Sequence, residues 1–246
     1  MGLSRWYLLL TRNGKKSYSS TYAIFKNFVG SQNIASLKAL KITLKYSKSL
    51  EKNDSNSTVL EIGTGIGTVA YLVTKNTNLN YLAYETNDFC IDQLNQNVDS
   101  VRMTVVDDFN DLLAHILLGS VSFLIIDDII SKKDLRLLLS RIKPKYIFIE
   151  GHRFKTRKEL LNLISEKDLG YLFLIRFFIS SFHSSKGGML VCFYYKPILI
   201  PTIILRLITV YSVLRFNIVN NYVVYRIFRF CGSKLLIKSK SLDVIN

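Results

Sequence analysis

Five short runs rich in β-branched and aromatic residues recur between residues 57 and 150, each separated from the next by an amphipathic stretch. They are STVLEI (57–62), NYLAYE (80–85), VRMTVV (101–106), SFLIID (122–127) and KYIFIE (145–150). Helix-like stretches fall between them, near 66–76, 88–98, 109–118 and 132–142. Strand–helix alternation at this spacing calls for right-handed crossovers, which join parallel neighbours. The expected fold is α/β, with a doubly wound, mostly parallel sheet. Glu85, Asp127 and Glu150 each end a run, and Asp107 follows another. In such sheets the carboxyl ends of the strands are where sites are built.

Beyond residue 150 the pattern changes. A helix-like stretch (154–166) precedes GYLFLIRFFIS (170–180) and GMLVCFYYK (188–196). The short link between these two runs suits an antiparallel hairpin and cannot hold a crossover helix. Upstream, SQNIASLKALKITLKYSKSL (31–50) places apolar residues at 34, 37 and 40 and Thr43 one step further, a helical stripe with lysines on the other side. In the tail, Phe216, Val219, Val223, Ile227 and Phe230 form another helical stripe, with Arg215, Arg226 and Arg229 beside it. The expected division is a basic helical segment (1–50), an α/β domain (51–196) and a basic amphipathic tail (197–246).

Charge follows the same division. The chain of 246 residues carries a formal +15, with 49% hydrophobic residues, the content of a folded protein. Residues 1–50 have nine Lys/Arg and no acid; residues 51–150 have nine against fourteen acids; residues 151–246 have fifteen against four. An acidic middle between basic flanks favours anionic partners for the flanks: RNA, an anionic membrane surface or a phosphorylated substrate. Cys90, Cys192 and Cys231 are widely spaced in apolar surroundings and read as buried thiols of a reducing compartment, without a disulfide framework or a metal site. The apolar run from Trp6 to Leu10 is too short for a signal sequence, and Trp6 stands where myristoylation wants Ser or Thr. The most apolar stretch, 197–214, contains Pro201 and Arg206 and does not read as a membrane span. The expected location is cytoplasmic, with peripheral contact to the inner face of a membrane through the tail.

The first run leads into a glycine-rich turn, VLEIGTGIGTVAYL (59–72). A dinucleotide turn, G-x-G-x-x-G, would place its third glycine at 68, which is Thr68; here the glycines are Gly63, Gly65 and Gly67. Glu61 stands at the entrance, where it would repel a phosphate and suit a cationic ligand. It could equally hydrogen-bond the turn's own N–H groups. This pattern, E-x-G-x-G-x-G, resembles the first motif of class I S-adenosylmethionine-dependent methyltransferases, and the resemblance extends over about 57–196. It implies a seven-stranded sheet of order 3-2-1-4-5-7-6 with an antiparallel last strand, and S-adenosylmethionine as cofactor. Glu85 matches the acid that in this family takes both ribose hydroxyls. VVDDFND (105–111) resembles the adenine-binding segment, with Asp108 taking the amino group and Phe109 covering the ring, Asp107 being the reserve. LIIDD (124–128) resembles the fourth motif. Asp107 or Asp108 could instead cap the helix that follows, as Asp127 or Asp128 could cap theirs.

Methyl transfer from a sulfonium is a displacement in which alignment supplies much of the acceleration, and a base is needed only where the acceptor loses a proton. Asp127 and His152 are the candidates for that base, with Glu150 beside them at neighbouring strand ends. Oxygen ligands for a metal exist in Asp127, Asp128 and Glu150, but the family's Asp-Asn pair is replaced by Glu150-Gly151-His152, so no metal is expected. The N-P-P-Y or D-P-P-Y motif of amino-methylating nucleic-acid enzymes is missing; Asp127-Asp128-Ile129-Ile130 stands there. The expected function is methylation of an oxygen on a small or membrane-proximal acceptor, such as a glycan or lipid-linked precursor. An RNA methyltransferase, or a non-catalytic binding module of the same fold, is the alternative. An oligomer is compatible with either.

Overall fold

In the computed structural model the residues described are 17–117, 121–151, 153–166, 172–179 and 187–194. His152, His183, Cys231 and the tail 197–246 lie outside them.

Apolar runs bounded by turns become strands β1 (Thr58–Ile62), β2 (Asn80–Tyr84), β3 (Met103–Val106), β4 (Val121–Ile126) and β5 (Tyr146–Glu150), followed by the hairpin β6 (Leu172–Ile179) and β7 (Gly187–Tyr194). They form one sheet of order β3-β2-β1-β4-β5-β7-β6. β1 to β5 are mutually parallel, and β7 runs antiparallel to both β5 and β6. Every residue of β4 is buried, the mark of a central strand covered on both faces. β3 is shorter than expected. Met103 N–H bonds Ser100 C=O at 3.1 Å, so a turn occupies the start of that run and Val101 points into solvent.

The helices are α1 (17–25), α2 (Leu37–Asn53), α3 (Thr68–Asn76), α4 (Asp88–Asn97), α5 (Phe109–Leu117), α6 (Lys132–Arg141) and α7 (Phe154–Glu166). Several begin at a side-chain cap. Asn87 accepts from Cys90 N–H and Ser131 from Asp134 N–H, each satisfying a donor that the first helical turn leaves open. The cap of α6 is thus Ser131, and neither Asp127 nor Asp128.

The stretch 31–50 departs from the single helix its periodicity suggests. Ser31–Asn33 is a 3-10 turn, Ile34 is extended, and α2 begins only after Ser36, whose hydroxyl accepts from Ala39 N–H. The start at 37 trims the stripe: Leu37 faces solvent, while Leu40, Thr43, Leu44, Ser47 and Leu50 are buried, with Ala39 and Ile42 beside them. Leu40, Leu44 and Leu50 join Val59, Leu72, Tyr81, Phe123 and Phe148 in one hydrophobic core. Burial of this apolar surface is the dominant stabilising term. It also ties α2 to the sheet.

Candidate functional site

Strand order reverses between β1 and β4, since β1 connects through α3 to β2 on one side and pairs with β4 on the other. A crevice at the carboxyl ends of the strands opens at such a switch point. Here the glycine turn fills its floor. Gly63 N–H and Thr64 N–H bond Tyr84 C=O at the end of β2 (2.9 and 3.4 Å), while Asp127 N–H bonds Ile62 C=O (2.9 Å). The turn is thereby stitched to both neighbours of β1.

The three glycines serve different ends. Gly63, at φ +79°, passes so close to β4 that a Cβ would lie 2.4 Å from Cβ of Asp128. Gly67, at φ +92°, begins α3, and a Cβ there would meet Leu94 and Val98 of α4 at 2.7 and 2.8 Å. Gly65, at φ +57°, would meet nothing within 4 Å. Two of the glycines allow close packing; Gly65 is the one that borders open space.

That space is a cavity of about 210 Å³ walled on one side by Glu61, Gly63, Thr64, Gly65 and Asp127. Asn87, Phe89 and Cys90 at the start of α4 form a second side. Gly30, Gln32, Ile34 and Ala35 form a third.

Acids dominate its chemistry. Glu85 directly follows β2 and is 7% exposed. One carboxylate oxygen accepts from Gly65 N–H at 2.7 Å, and the other accepts from Thr86 N–H and Asn87 N–H at 3.0 and 3.1 Å. Glu61 is 1% exposed and accepts from the Tyr81 hydroxyl at 2.6 Å. Burial pushes the Glu61 carboxyl well above the usual carboxylate range. The Tyr81 hydrogen bond opposes that shift, and Asp127, Glu150 and Glu85 add to it. The partner of Glu61 is thus Tyr81 on the neighbouring strand. Asp127 forms an ion pair with Arg153 (3.4 Å), whose guanidinium also donates to the Asp127 carbonyl.

Of the residues singled out in the sequence, Glu61, Gly63, Gly65 and Asp127 line one cavity, and Glu85 adjoins it through Gly65. Asp108 and Phe109 lie outside its walls. Asp108 caps α5, accepting from Asn110 N–H and Asp111 N–H at 2.7 and 3.1 Å. Phe109 meets Tyr84 edge-to-face, with ring centroids 6.1 Å apart. Glu150 is turned away from any acceptor: it is buried and accepts from Ser36 N–H (2.9 Å) and Ser36 Oγ–H (3.1 Å). Cys90 is half-buried on the cavity wall, whereas Cys192 is buried. Among the described residues, no group of three or more His, Cys, Asp or Glu is arranged to share a metal ion, and no helix is long and apolar enough to cross a membrane.

The cavity-wall residues that sequence reasoning missed include Gly30, Gln32, Ile34, Ala35, Asn87 and Phe89. A signal existed for Asn87, a helix-capping residue two positions after the strand-ending Glu85. None existed for the N-terminal wall, because no periodicity carries residues 30–35 to the end of β1.

The arrangement discriminates between ligands. Glu85 occupies the Gly65 amide that a phosphate would need, and its charge repels one. The carboxylates of Glu85 and Asp127 beside an open glycine instead suit a ligand that is cationic and bears hydroxyl donors.

No family model matches the chain, and no curated protein matches it in sequence. Solved structures resemble it in fold. A precorrin-6y C5,15-methyltransferase from Geobacter metallireducens aligns with TM-score 0.52 at 14% identity, over 68% of this chain and 94% of that one. The METTL16 methyltransferase domain aligns with TM-score 0.53 at 13% identity, over 72% of this chain and 80% of that domain. The chain therefore has the Rossmann-like α/β fold seen in these methyltransferases.

Proposed function

We propose that the protein is an S-adenosylmethionine-dependent methyltransferase acting on an oxygen of a small or membrane-proximal acceptor, such as a glycan or lipid-linked molecule. The observation that carries the reading is the Glu85–Gly65 contact beside an acid-walled cavity, on a fold shared with methyltransferases. The residues fit the cofactor in kind. Gly65 leaves room where a side chain would intrude, and the Asp127 carboxylate lines the cavity at the switch point beside the buried Glu61. Glu85 would take the ribose hydroxyls, and Glu61 and Asp127 would face the cationic end. Asp108 and Phe109, beside Tyr84, would hold the adenine end. The bound cofactor supplies an electrophilic methyl group on a sulfonium.

This chain's contribution is then to orient and enclose. The fixed backbone of 63–67 and the buried acids hold their geometry before any ligand arrives, which is where alignment gains its rate advantage. Asp127 stands beside the cavity and would take a proton from the acceptor hydroxyl; His152 is the other candidate. The basic amphipathic tail is proposed as a peripheral membrane contact. Replacing Arg215, Arg226 and Arg229 together by Gln should reduce co-sedimentation with anionic vesicles, and unchanged binding would remove that part of the proposal.

One observation favours a second reading, a binding module of the same fold. Asp127 is already engaged by Arg153, and a carboxylate paired with a guanidinium is a poor proton acceptor. Two measurements separate the readings. Calorimetry with S-adenosylmethionine and S-adenosylhomocysteine tests the donor site, and failure of both to bind removes the enzymatic reading. Labelled-methyl transfer to an extract fractionated into RNA, lipid, glycan and protein tests turnover and identifies the acceptor class.

A further inference from the structure

Glu150 ends β5, yet it faces neither the cavity nor solvent. Its Oε1 accepts from both the backbone N–H and the hydroxyl of Ser36, 114 residues earlier in the chain. The same Ser36 hydroxyl accepts from Ala39 N–H at 3.2 Å and so starts α2. One serine joins a strand end, a helix start and the segment before it.

That preceding segment is the N-terminal wall of the cavity: Gly30, Gln32, Ile34 and Ala35. It belongs to no strand, and its turns are local, Ser31 N–H to Phe28 C=O at 3.1 Å being one. Apolar contact seats its middle. Ile34 clusters with Phe25 and Ile66, and Gly30 presses on Ile66 and Phe89, where a Cβ would lie 2.9 and 3.1 Å from their side chains. Such contact is non-directional, whereas two hydrogen bonds to one buried oxygen set a position and an angle.

We propose that Glu150 is a positioning residue for the ligand cavity: through Ser36 it clamps the 28–36 wall against the glycine turn, without itself touching ligand. The clamp rests on the donor-binding reading for its functional consequence, and on geometry alone for its mechanical one.

The test uses the full-length protein and the variants Glu150→Ala, Glu150→Gln and Ser36→Ala. S-adenosylhomocysteine affinity is measured by calorimetry, and amide hydrogen exchange is compared between residues 28–36 and β4. Losing a buried pair of bonds should raise exchange in 28–36 and weaken binding by about tenfold or more in Glu150→Ala, with β4 unchanged. Glu150→Gln keeps an acceptor oxygen and should stay within about threefold of the parent in both measurements, with Ser36→Ala shifted in the same direction as Glu150→Ala. Parent-like exchange at 28–36 in Glu150→Ala overturns the clamp. So does loosening of 28–36 and β4 alike, or a Glu150→Gln variant as impaired as Glu150→Ala. Selective loosening with unchanged affinity overturns the functional half. If the parent protein fails to bind S-adenosylhomocysteine, the donor reading falls, and the exchange comparison still decides the clamp.

Discussion

The carboxylate of Glu85 accepts a hydrogen bond from the backbone N–H of Gly65 at 2.7 Å, joining the end of one strand to the middle of a turn twenty residues before it. Gly65 is the glycine of the turn with open space above it. The pair therefore presents a buried anion and an unobstructed backbone on the same edge of the cavity. A ligand with vicinal hydroxyls would replace the amide as the partner of Glu85. Hydrogen bonds to charged groups are worth about 1.5–3 kcal/mol, so Glu85→Ala should weaken S-adenosylhomocysteine binding about tenfold to a hundredfold. Calorimetry on a variant with a parent-like circular dichroism spectrum measures this; an unchanged dissociation constant would remove Glu85 from the site.

Gly63 and Gly65 should respond differently to the same added methyl group. Both have positive φ, so alanine costs about 1–2 kcal/mol at either from the left-handed backbone. At Gly63 the new Cβ would also press on Asp128, adding about 1–3 kcal/mol of overpacking. Urea denaturation should place Gly63→Ala well below Gly65→Ala in stability. Equal losses would mean that the turn shifts away from β4.

Glu61 makes stability depend on pH in an uncommon direction for a carboxylate. Its folded-state affinity for a proton is raised, chiefly by burial, so the folded protein holds a proton that the unfolded chain releases. Stability then falls as pH rises from the ordinary glutamate range to the raised folded-state value, and the cost is constant above it. Glu61→Gln, neutral at every pH, should be more stable than the parent at neutral pH. The advantage should shrink as pH approaches the ordinary carboxylate range, where both states of the parent are protonated. Denaturation midpoints between pH ~4 and ~8 test this; a constant difference across the range would rule it out.

Asp127 lines the cavity and pairs with Arg153. General-base catalysis is worth about a hundredfold to ten-thousandfold, so Asp127→Asn should lower labelled-methyl transfer by at least a hundredfold. Its affinity for S-adenosylhomocysteine should move far less. Retained transfer would shift the role to His152 or dispense with a base altogether.

Much of the scaffold was legible because it rests on local rules. Alternating apolar runs and amphipathic stretches located β1 to β5 and the helices between them to within a few residues. The short link between the runs 170–180 and 188–196 read as a hairpin, and β6 and β7 pair antiparallel. Local rules fell short at residues 31–36, where the apolar stripe ran on but the helix begins only after the Ser36 cap. They also left Asp108 open between two roles; in the structure its side chain is a helix cap.

What the sequence determined by itself is the order of the elements and the position of the glycine turn. It also put an acid at the end of each strand that borders the site. Period and turn chemistry act over a few residues, so they can be read along the chain. What each acid does was decided only in three dimensions. Glu61 meets Tyr81, Asp127 meets Arg153 and Glu150 meets Ser36. Burial and partner choice depend on residues brought together from distant parts of the chain. For that reason three similar carboxylates at neighbouring strand ends become a buried acid held by a tyrosine, the partner of an arginine and a clamp.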